Sequence, residues 1–312
     1  MSGKFIISLD YEKSWGFNDL ISEKKEFEKF LFVDNIVDKK LDLFSYYNIK
    51  VTWAIVTGMI DFPSDKNLFS HREYKSLLSH SFFIKSLMSG NVPIKSYTCC
   101  IDNILSKGHE VASHTHTHVY CDDYLYSKEE ILNDIKYSVN TINRGLNDLC
   151  STIVFPRNQV NKDILMALGS MGIKCFRGNN FSISDSVTEK TKIRTKLVRY
   201  LDSYLPILPI SYSTLSVHES GLINIPASRF LRVTKFSLLN VIHLYRIKEE
   251  MTNAAINGEN YHLWWHPHNF IKKETEGFYV LNEILKHFKY LNVKYDFESS
   301  TMGALVKEND ES

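Results

Sequence analysis

Two histidines, His114 and His118, stand four residues apart in a histidine-rich stretch that starts at Gly108. On one turn of helix this spacing puts both rings on the same face, with Cβ atoms roughly 5–6 Å apart. Two imidazoles at that distance can bind one borderline metal ion such as zinc. The alternative is a polar surface loop that is rich in histidine by chance, since such pairs also occur without a metal.

Two acidic residues, Asp10 and Glu12, follow the apolar run 5–9. This run has the length and composition of a strand that is buried on both faces, as in a parallel sheet. While the chain stays extended, the two carboxylates share one side and Tyr11 points away. Carboxylates at the carboxyl end of a buried strand are typical of α/β active sites. The alternative is an acidic turn that only ends the strand.

Two more strand-like runs end in polar residues. One is followed by Arg157 and Asn158, and the other by His266 and His268. Together with the acidic pair and the histidine pair, four runs thus end in side chains that could do chemistry. A random distribution of polar residues would not place all four groups at the same end of successive strand–helix units. The pattern therefore predicts one shared site at the C-terminal rim of a (β/α) barrel.

The elements that position these side chains alternate between two periodicities along the chain. The predicted strands are 5–9, 51–58, 109–113, 152–155, 172–178, 222–228, 261–265 and 293–297. The predicted helices are 26–47, 101–107, 127–142, 163–171, 238–257 and 278–291. Such alternation is typical of a parallel sheet with right-handed crossovers.

The composition is ordinary for a soluble globular protein, and length alone suggests about two domains, although α/β barrels often form a single one. We expect one barrel domain over 1–306, with rim insertions at about 60–98 and 179–222 and a frayed charged tail over 307–312. A formal net charge of +1 gives no reason to expect a nucleic acid partner.

The ends and the cysteines give an expectation about location. The first residues lack the pattern of a signal peptide, and we see no apolar run of the roughly 20 residues that a transmembrane segment needs. The five cysteines include no C-x-x-C pair, which favours reduced thiols over a disulfide framework. We therefore expect a cytoplasmic protein. Its oligomeric state does not follow from the sequence.

The four clusters resemble the motifs of the polysaccharide deacetylase superfamily, also called the NodB-homology or carbohydrate esterase family 4 group. The histidine stretch from Gly108 to His118 is similar to the second motif of the family. The segment from Ser8 to Glu12 occupies the place of the first motif, Thr-Phe-Asp-Asp-Gly, but Tyr11 replaces its second aspartate. Some branches of the superfamily instead carry acidic residues two apart. The resemblance implies a distorted (β/α)7 barrel of the polysaccharide deacetylase type, with insertions.

The resemblance also implies roles for individual residues. One divalent metal ion, with a zinc-like preference, is expected on Glu12, His114 and His118. Asp10 is expected to be the catalytic base, Arg157 to orient it, and His266 to be the catalytic acid. The substrate-binding residues are expected to be Tyr11 through its backbone N–H, Trp15 by stacking on a sugar, Asn158 and His268. Two alternatives stay open, namely Asp10 as the ligand with Glu12 as helper, and His268 as the acid.

The activity implied by the resemblance is metal-dependent hydrolysis of the N-acetyl amide of an amino sugar. For a cytoplasmic member, the expected substrate is a small or lipid-linked precursor in surface-polysaccharide biosynthesis. One alternative is an amidase that acts on a small non-sugar amide, as in the allantoinase-like branch. Another is a catalytically silent protein that binds glycans, since the first motif lacks its usual second aspartate.

Overall fold

The computed structural model describes residues 2–17, 33–60, 98–121, 126–145, 149–178, 201–205 and 212–310. The predicted insertion at 60–98 and most of the one at 179–222 lie outside these residues. The single-domain boundaries therefore stay a prediction. None of the helices in the described ranges is both long and apolar enough to cross a bilayer.

Ten strands and seven α-helices make up the described part of the chain. The strands are β1 (Lys4–Tyr11), β2 (Thr52–Ile55), β3 (Glu110–Ser113), β4 (Thr152–Val154), β5 (Cys175–Arg177), β6 (Ser216–Val217), β7 (Ile223–Asn224), β8 (Arg229–Phe230), β9 (Tyr261–Trp265) and β10 (Glu298–Ser300). The helices are α1 (Val33–Tyr46), α2 (Thr98–Ser106), α3 (Lys128–Gly145), α4 (Lys162–Leu168), α5 (Ser237–Asn257), α6 (Glu274–Tyr295) and α7 (Met302–Asp310).

The strands form one curled, almost entirely parallel sheet, which confirms the predicted α/β barrel. Its order is β6-β7-β5-β4-β3-β2-β1-β9-β8, and β10 pairs with the first half of β1. Only the short β6–β7 pair is antiparallel. Because the long strands are parallel, their carboxyl ends meet at one rim, where the four polar clusters were expected.

A single segment from Ile223 to Phe230 bridges the two sides of the barrel. At its start β7 pairs with β5, and at its end β8 pairs with β9. Between the two strands, the N–H of Ala227 donates to Gly178 O at 3.4 Å and the N–H of Ser228 donates to His262 O at 2.8 Å. This segment thus closes the sheet, because it pairs first with β5 and then with β9.

The barrel interior changes from apolar to polar toward the carboxyl rim. At the amino end, Ile6 of β1 packs in a small cluster with Cys175 and with Met302 of α7. Because side chains alternate along a strand, Ser8 and Asp10 share the face of Ile6, and Arg177 shares that of Cys175. The interior positions near the carboxyl ends of β1 and β5 are therefore polar, although both strands are buried.

The carboxyl-terminal region differs from the prediction. Residues 293–297 were expected to form a strand, but α6 continues to Tyr295 and the strand β10 follows at Glu298–Ser300. The expected frayed tail is helical as far as Asp310. This helix is held because the N–H of Met302 donates to Thr52 Oγ1 at 2.9 Å and that of Gly303 donates to Glu110 Oε2 at 3.0 Å.

Candidate metal and active site

Glu12, His114 and His118 lie together at the carboxyl rim. One ligand atom from each residue lies within 4.8 Å of the other two, and all three side chains are buried. The carboxylate oxygen Oε2 of Glu12 is 3.3 Å from His114 Nε2 and 2.9 Å from His118 Nε2. Asp10 stands apart from this group because its carboxylate is engaged elsewhere.

The two histidine rings come together on a loop, and not on the helical turn that their spacing suggested. Strand β3 ends at Ser113, and the following residues include positive φ values at Thr115 (66°) and His118 (60°). The left-handed backbone at these two positions bends the chain back on itself. The ring centroids of His114 and His118 end up 5.1 Å apart.

Asp134 of α3 holds this loop and was missed by the sequence reasoning. Its carboxylate accepts the N–H of His116 at 2.7 Å, the N–H of Thr117 at 3.1 Å and the hydroxyl of Thr117 at 2.6 Å. Burial raises the pKa of Asp134 to about 6, and these hydrogen bonds oppose the rise. A signal was present in the sequence, since Asp134 adjoins Ile135 on the apolar face of the predicted helix.

The donor set fits a divalent metal ion of the zinc type. His114 Nδ1 is 2.7 Å from the carbonyl oxygen of Val154. A carbonyl only accepts, so Nδ1 carries the proton and Nε2 presents its lone pair toward Glu12. Two imidazole nitrogens and one carboxylate, with one histidine oriented by a backbone carbonyl, are the usual ligands of a catalytic zinc ion.

Asp10 is paired with Arg177, which corrects the prediction that Arg157 orients it. The Arg177 guanidinium donates two hydrogen bonds of 2.7 Å to the two carboxylate oxygens of Asp10. Arg157 is exposed, with its guanidinium 4.0 Å from the centre of the Tyr120 ring. Arg157 has a positive φ of 56° in the short 3-10 turn that follows β4, and its side chain lies on the surface. Arg177 lies in the predicted strand 172–178, which contains none of the four motif-like clusters.

Asn158 contacts this arginine, so the structure gives its side chain a partner other than the expected substrate. The Oδ1 atom of Asn158 accepts hydrogen bonds from Nε and Nη2 of Arg177 at 3.1 and 2.8 Å. The hydroxyl oxygen of Ser8 accepts a hydrogen bond from Nη1 of Arg177 at 2.9 Å. The same oxygen lies 2.8 Å from His262 Nε2. The ring of Trp264 covers the guanidinium at 4.3 Å. Arg177 is therefore fixed on all sides.

The expected stacking of Trp15 on a sugar does not fit its position, and the side chain of Tyr11 is buried as well. Tyr11 is fully buried, and its hydroxyl donates to Asp34 at 2.6 Å. Trp15 is 3% exposed and packs in the main hydrophobic core. A Cβ atom on Gly58 would lie 2.9 Å from its indole ring, so glycine is needed there for Trp15 to pack. The expected contribution of the Tyr11 backbone N–H stays a prediction.

His266 faces the two carboxylates from β9. Its Nε2 atom is 3.4 Å from Glu12 Oε1 and 3.8 Å from Asp10 Oδ2. Its side chain keeps 23% of its area exposed, so solvent reaches it. His268 lies behind it, with ring centroids 4.9 Å apart. Desolvation and the neighbouring His266 lower the pKa of His268 to about 3.

Both carboxylates stay ionised despite their burial. Burial opposes the charge on Asp10, but the Arg177 guanidinium outweighs it and lowers the pKa of this carboxyl. Burial likewise opposes the charge on Glu12, and the imidazoles of His266 and His118 lower its pKa well below the usual range. The site thus presents two negative charges to any cation or proton that enters.

Comparison with known proteins identifies relatives of this fold. Residues 27–176 match the family model described as polysaccharide deacetylase. No curated protein sequence matches the chain at a significant level.

The structure resembles three solved proteins, all with identities that indicate a shared fold. A putative polysaccharide deacetylase from Mycobacterium smegmatis has a TM-score of 0.64 and 11% identity over 98% of this chain and 90% of that chain. A probable polysaccharide deacetylase from Pseudomonas aeruginosa PAO1 has a TM-score of 0.56 and 9% identity over 95% and 86%. The PuuE allantoinase has a TM-score of 0.53 and 9% identity over 92% and 84%.

Proposed function

We propose that this chain, which the family model and the fold assign to the polysaccharide deacetylase superfamily, hydrolyses the N-acetyl amide of an amino sugar with the help of a divalent metal ion. The observation that carries the proposal is the cluster of Glu12, His114 and His118 next to a buried, ionised Asp10. The family supports deacetylation of a glycan in general. Zinc as the metal, the precursor substrate and the cytoplasmic location stay predictions.

Glu12, His114 and His118 would hold the metal, which when bound supplies a Lewis acid and a water molecule of lowered pKa. Among the two carboxylates, Glu12 is favoured as the ligand because its Oε2 is close to both imidazole Nε2 atoms. Asp10 is less suited to this role because both of its oxygens already accept hydrogen bonds from Arg177.

Asp10 is the proposed general base. It takes a proton from the attacking water as the water oxygen bonds to the carbonyl carbon. Arg177 keeps the carboxylate ionised and fixes its plane, so that the base is in the correct state and orientation before substrate arrives.

His266 is the proposed general acid. It donates a proton to the amide nitrogen as the carbon–nitrogen bond breaks, so that the products are acetate and a free amine. Its Nε2 atom lies within 4 Å of both carboxylates and its ring is partly open to solvent. His268 is less suited to protonate a leaving group near neutral pH, since its pKa is lowered to about 3.

The direct test is the release of acetate from N-acetylated sugars. Purified protein is stripped with a chelator, reloaded with zinc, and assayed on chito-oligosaccharides and on allantoin in parallel. We expect metal-dependent acetate release from a sugar, and for Asp10→Asn we expect retained metal with a rate loss of order 10² or more.

Three results would contradict the proposal. Hydrolysis of allantoin without acetate release from any sugar would indicate the amidase activity. Tight sugar binding without turnover under any divalent metal would indicate a glycan-binding protein. A fully active Asp10→Asn variant would remove Asp10 from the role of base.

A further inference from the structure

The first half of α5 exposes an apolar face. Leu238, Val241 and Tyr245, at spacings of three and four residues, lie on one side of the helix and are 69%, 55% and 69% exposed. Phe236, which precedes the helix, is 70% exposed. A surface helix of a globular protein normally turns polar residues outward, so this face indicates an interaction surface.

Four basic residues lie beside this apolar face. Lys235 adjoins Phe236, and Arg232 stands in the same loop between β8 and α5. Lys273 reaches that loop from the start of α6, where its Nζ atom donates to Val233 O at 2.6 Å, and Lys272 adjoins it. The charges of Arg232, Lys235 and Lys272 add to burial in lowering the pKa of Lys273.

Acidic residues are absent from the β8–α5 part of this surface, while Glu274 and Glu276 follow the two lysines in the first turn of α6. The chain contains no aspartate or glutamate from residue 220 to residue 248. Glu276 is the acidic group that acts on Lys273 and partly offsets the basic residues. Because the whole chain has a net charge of only +1, this is a local concentration of positive charge.

The surface lies close to the catalytic rim. The ring centroid of Phe230 lies 6.0 Å from that of His266, and the Arg232 guanidinium lies 5.4 Å from the centroid of the Phe230 ring. The basic loop therefore begins next to Phe230, which lies beside His266 of the site. A molecule that binds this surface would meet the entrance on the His266 side.

We propose that this surface, made of Phe236, Leu238, Val241, Tyr245, Arg232, Lys235, Lys272 and Lys273, docks the protein on an anionic lipid bilayer. The apolar face of α5 enters the boundary between headgroups and acyl chains, as a helix lying in the membrane plane does. The four cations then lie among lipid phosphates, which attract basic residues next to such a face. A neutral protein partner would match the apolar side chains but would leave the basic residues without a counterpart. The proposal does not depend on the proposed deacetylation.

Vesicle flotation tests the proposal. The whole chain is mixed with vesicles of phosphatidylcholine that contain phosphatidylglycerol, and in parallel with vesicles of phosphatidylcholine alone. We expect flotation with the anionic vesicles, at least tenfold weaker partitioning on the neutral ones, and release by salt. Lys235→Glu/Lys272→Glu and Leu238→Ser/Val241→Ser should each weaken binding at least tenfold.

Matched variants separate this surface from general stickiness. Lys136→Glu changes an exposed cation on α3, and Val293→Ser changes a valine on α6 that is 80% exposed. Both should bind anionic vesicles like the original chain. Circular dichroism and thermal unfolding check that each variant is folded.

Several outcomes would overturn the proposal. One is a folded wild-type chain that does not float with anionic vesicles. Another is equal loss of binding in the control variants. A third is a dimer in sedimentation analysis that Leu238→Ser/Val241→Ser converts to a monomer while vesicle binding is unchanged, because the apolar face would then be a contact between two copies.

Discussion

Arg177 and Asp10 form a bidentate ion pair across the interior of the barrel, with both hydrogen bonds at 2.7 Å. Three strands, β4, β3 and β2, separate their own strands in the sheet order. The pair therefore depends on the curvature of the sheet, which brings distant strands face to face. Its position means that the orientation of the proposed base is set by the fold as a whole.

Replacing Arg177 by lysine should lower kcat by about 10² while bound metal stays unchanged. Lysine keeps the charge, but its single ammonium group cannot make the two parallel hydrogen bonds of the guanidinium. Turnover and metal content measured on the same preparation check this. Arg157→Lys is the matched control and should keep nearly full activity. The reverse result, with only Arg157→Lys impaired, would return the orienting role to Arg157.

The proposed metal ligands allow a test that needs no substrate. His114→Ala and His118→Ala should each lose most of the metal after dialysis, because two protein ligands hold a zinc-type ion far less well than three. Elemental analysis measures the metal per chain. His116→Gln is the control, since its Nδ1 atom lies 3.1 Å from the Thr57 hydroxyl and it is not a member of the cluster. If both alanine variants retain metal and activity, the site is wrongly placed.

The assignment of the acid can be tested by changing the leaving group. His266→Gln should slow hydrolysis of a sugar amide by about 10²–10⁴, because its amine must be protonated as it leaves. The same variant should lose much less activity on an aryl acetate, whose leaving group departs without a proton. His268→Gln should impair the two substrates by similar factors. A selective amide defect in His268→Gln would make His268 the acid.

Asp134 should control metal affinity without contacting the metal. In Asp134→Asn one carboxylate oxygen becomes an N–H donor, so the hydroxyl and N–H groups of Thr117 and the N–H of His116 cannot all be satisfied. We expect metal affinity to fall by about 10–100-fold, as for other residues that orient ligands. Competition with a chelating dye measures it. Asp163→Asn, at an exposed position on α4, should have no effect.

Mild acidification should destabilise the fold through its buried histidines. Burial is the main cause that lowers the pKa of four histidines: His109, His116 and His243 to about 4, and His262 to about 3. A histidine with a lowered folded-state pKa contributes stability that is fully present above its unfolded value of 6.5 and is lost as the pH falls toward the folded value.

When the pH falls from about 7.5 to about 5.5, each of these histidines should lower the free energy of unfolding by on the order of 1 kcal/mol. Asp134 acts in the opposite direction, since its raised pKa adds stability as the pH falls through about 6. Urea denaturation at the two pH values measures the sum. Equal stability at both would mean that these rings accept protons in the folded state.

The proximity of Glu12, His114 and His118 could be predicted from the sequence because the information for it is local. Asp10 and Glu12 lie at the carboxyl end of one buried strand, and His114 and His118 lie in the loop that follows another, so that parallel pairing brings them to one rim. The conformation of the loop that joins the histidines was not predictable, since the positive φ of Thr115 and His118 is not encoded by glycine.

The choice of Arg177 over Arg157 depends on geometry that the sequence does not show. Both arginines follow or end a short buried strand, and both are followed by a small or polar residue. Which of them reaches Asp10 is decided by the curvature of the sheet and by one backbone angle at Arg157. Long-range side-chain pairing across a barrel leaves no periodic signal in the chain.

The segment that bridges β5 and β9 offers a route to altered ligand size. Between Ile225 and Ser228 the two sides of the barrel are joined only by the covalent chain and by isolated backbone hydrogen bonds in the described structure. Pro226 has no N–H and therefore cannot donate a hydrogen bond to a neighbouring strand. Insertions at this point would widen the entrance while Arg177 stays on β5 and His266 stays directly after β9. Laboratory evolution for larger substrates should therefore accept length changes here more readily than in any loop that follows β1 or β3.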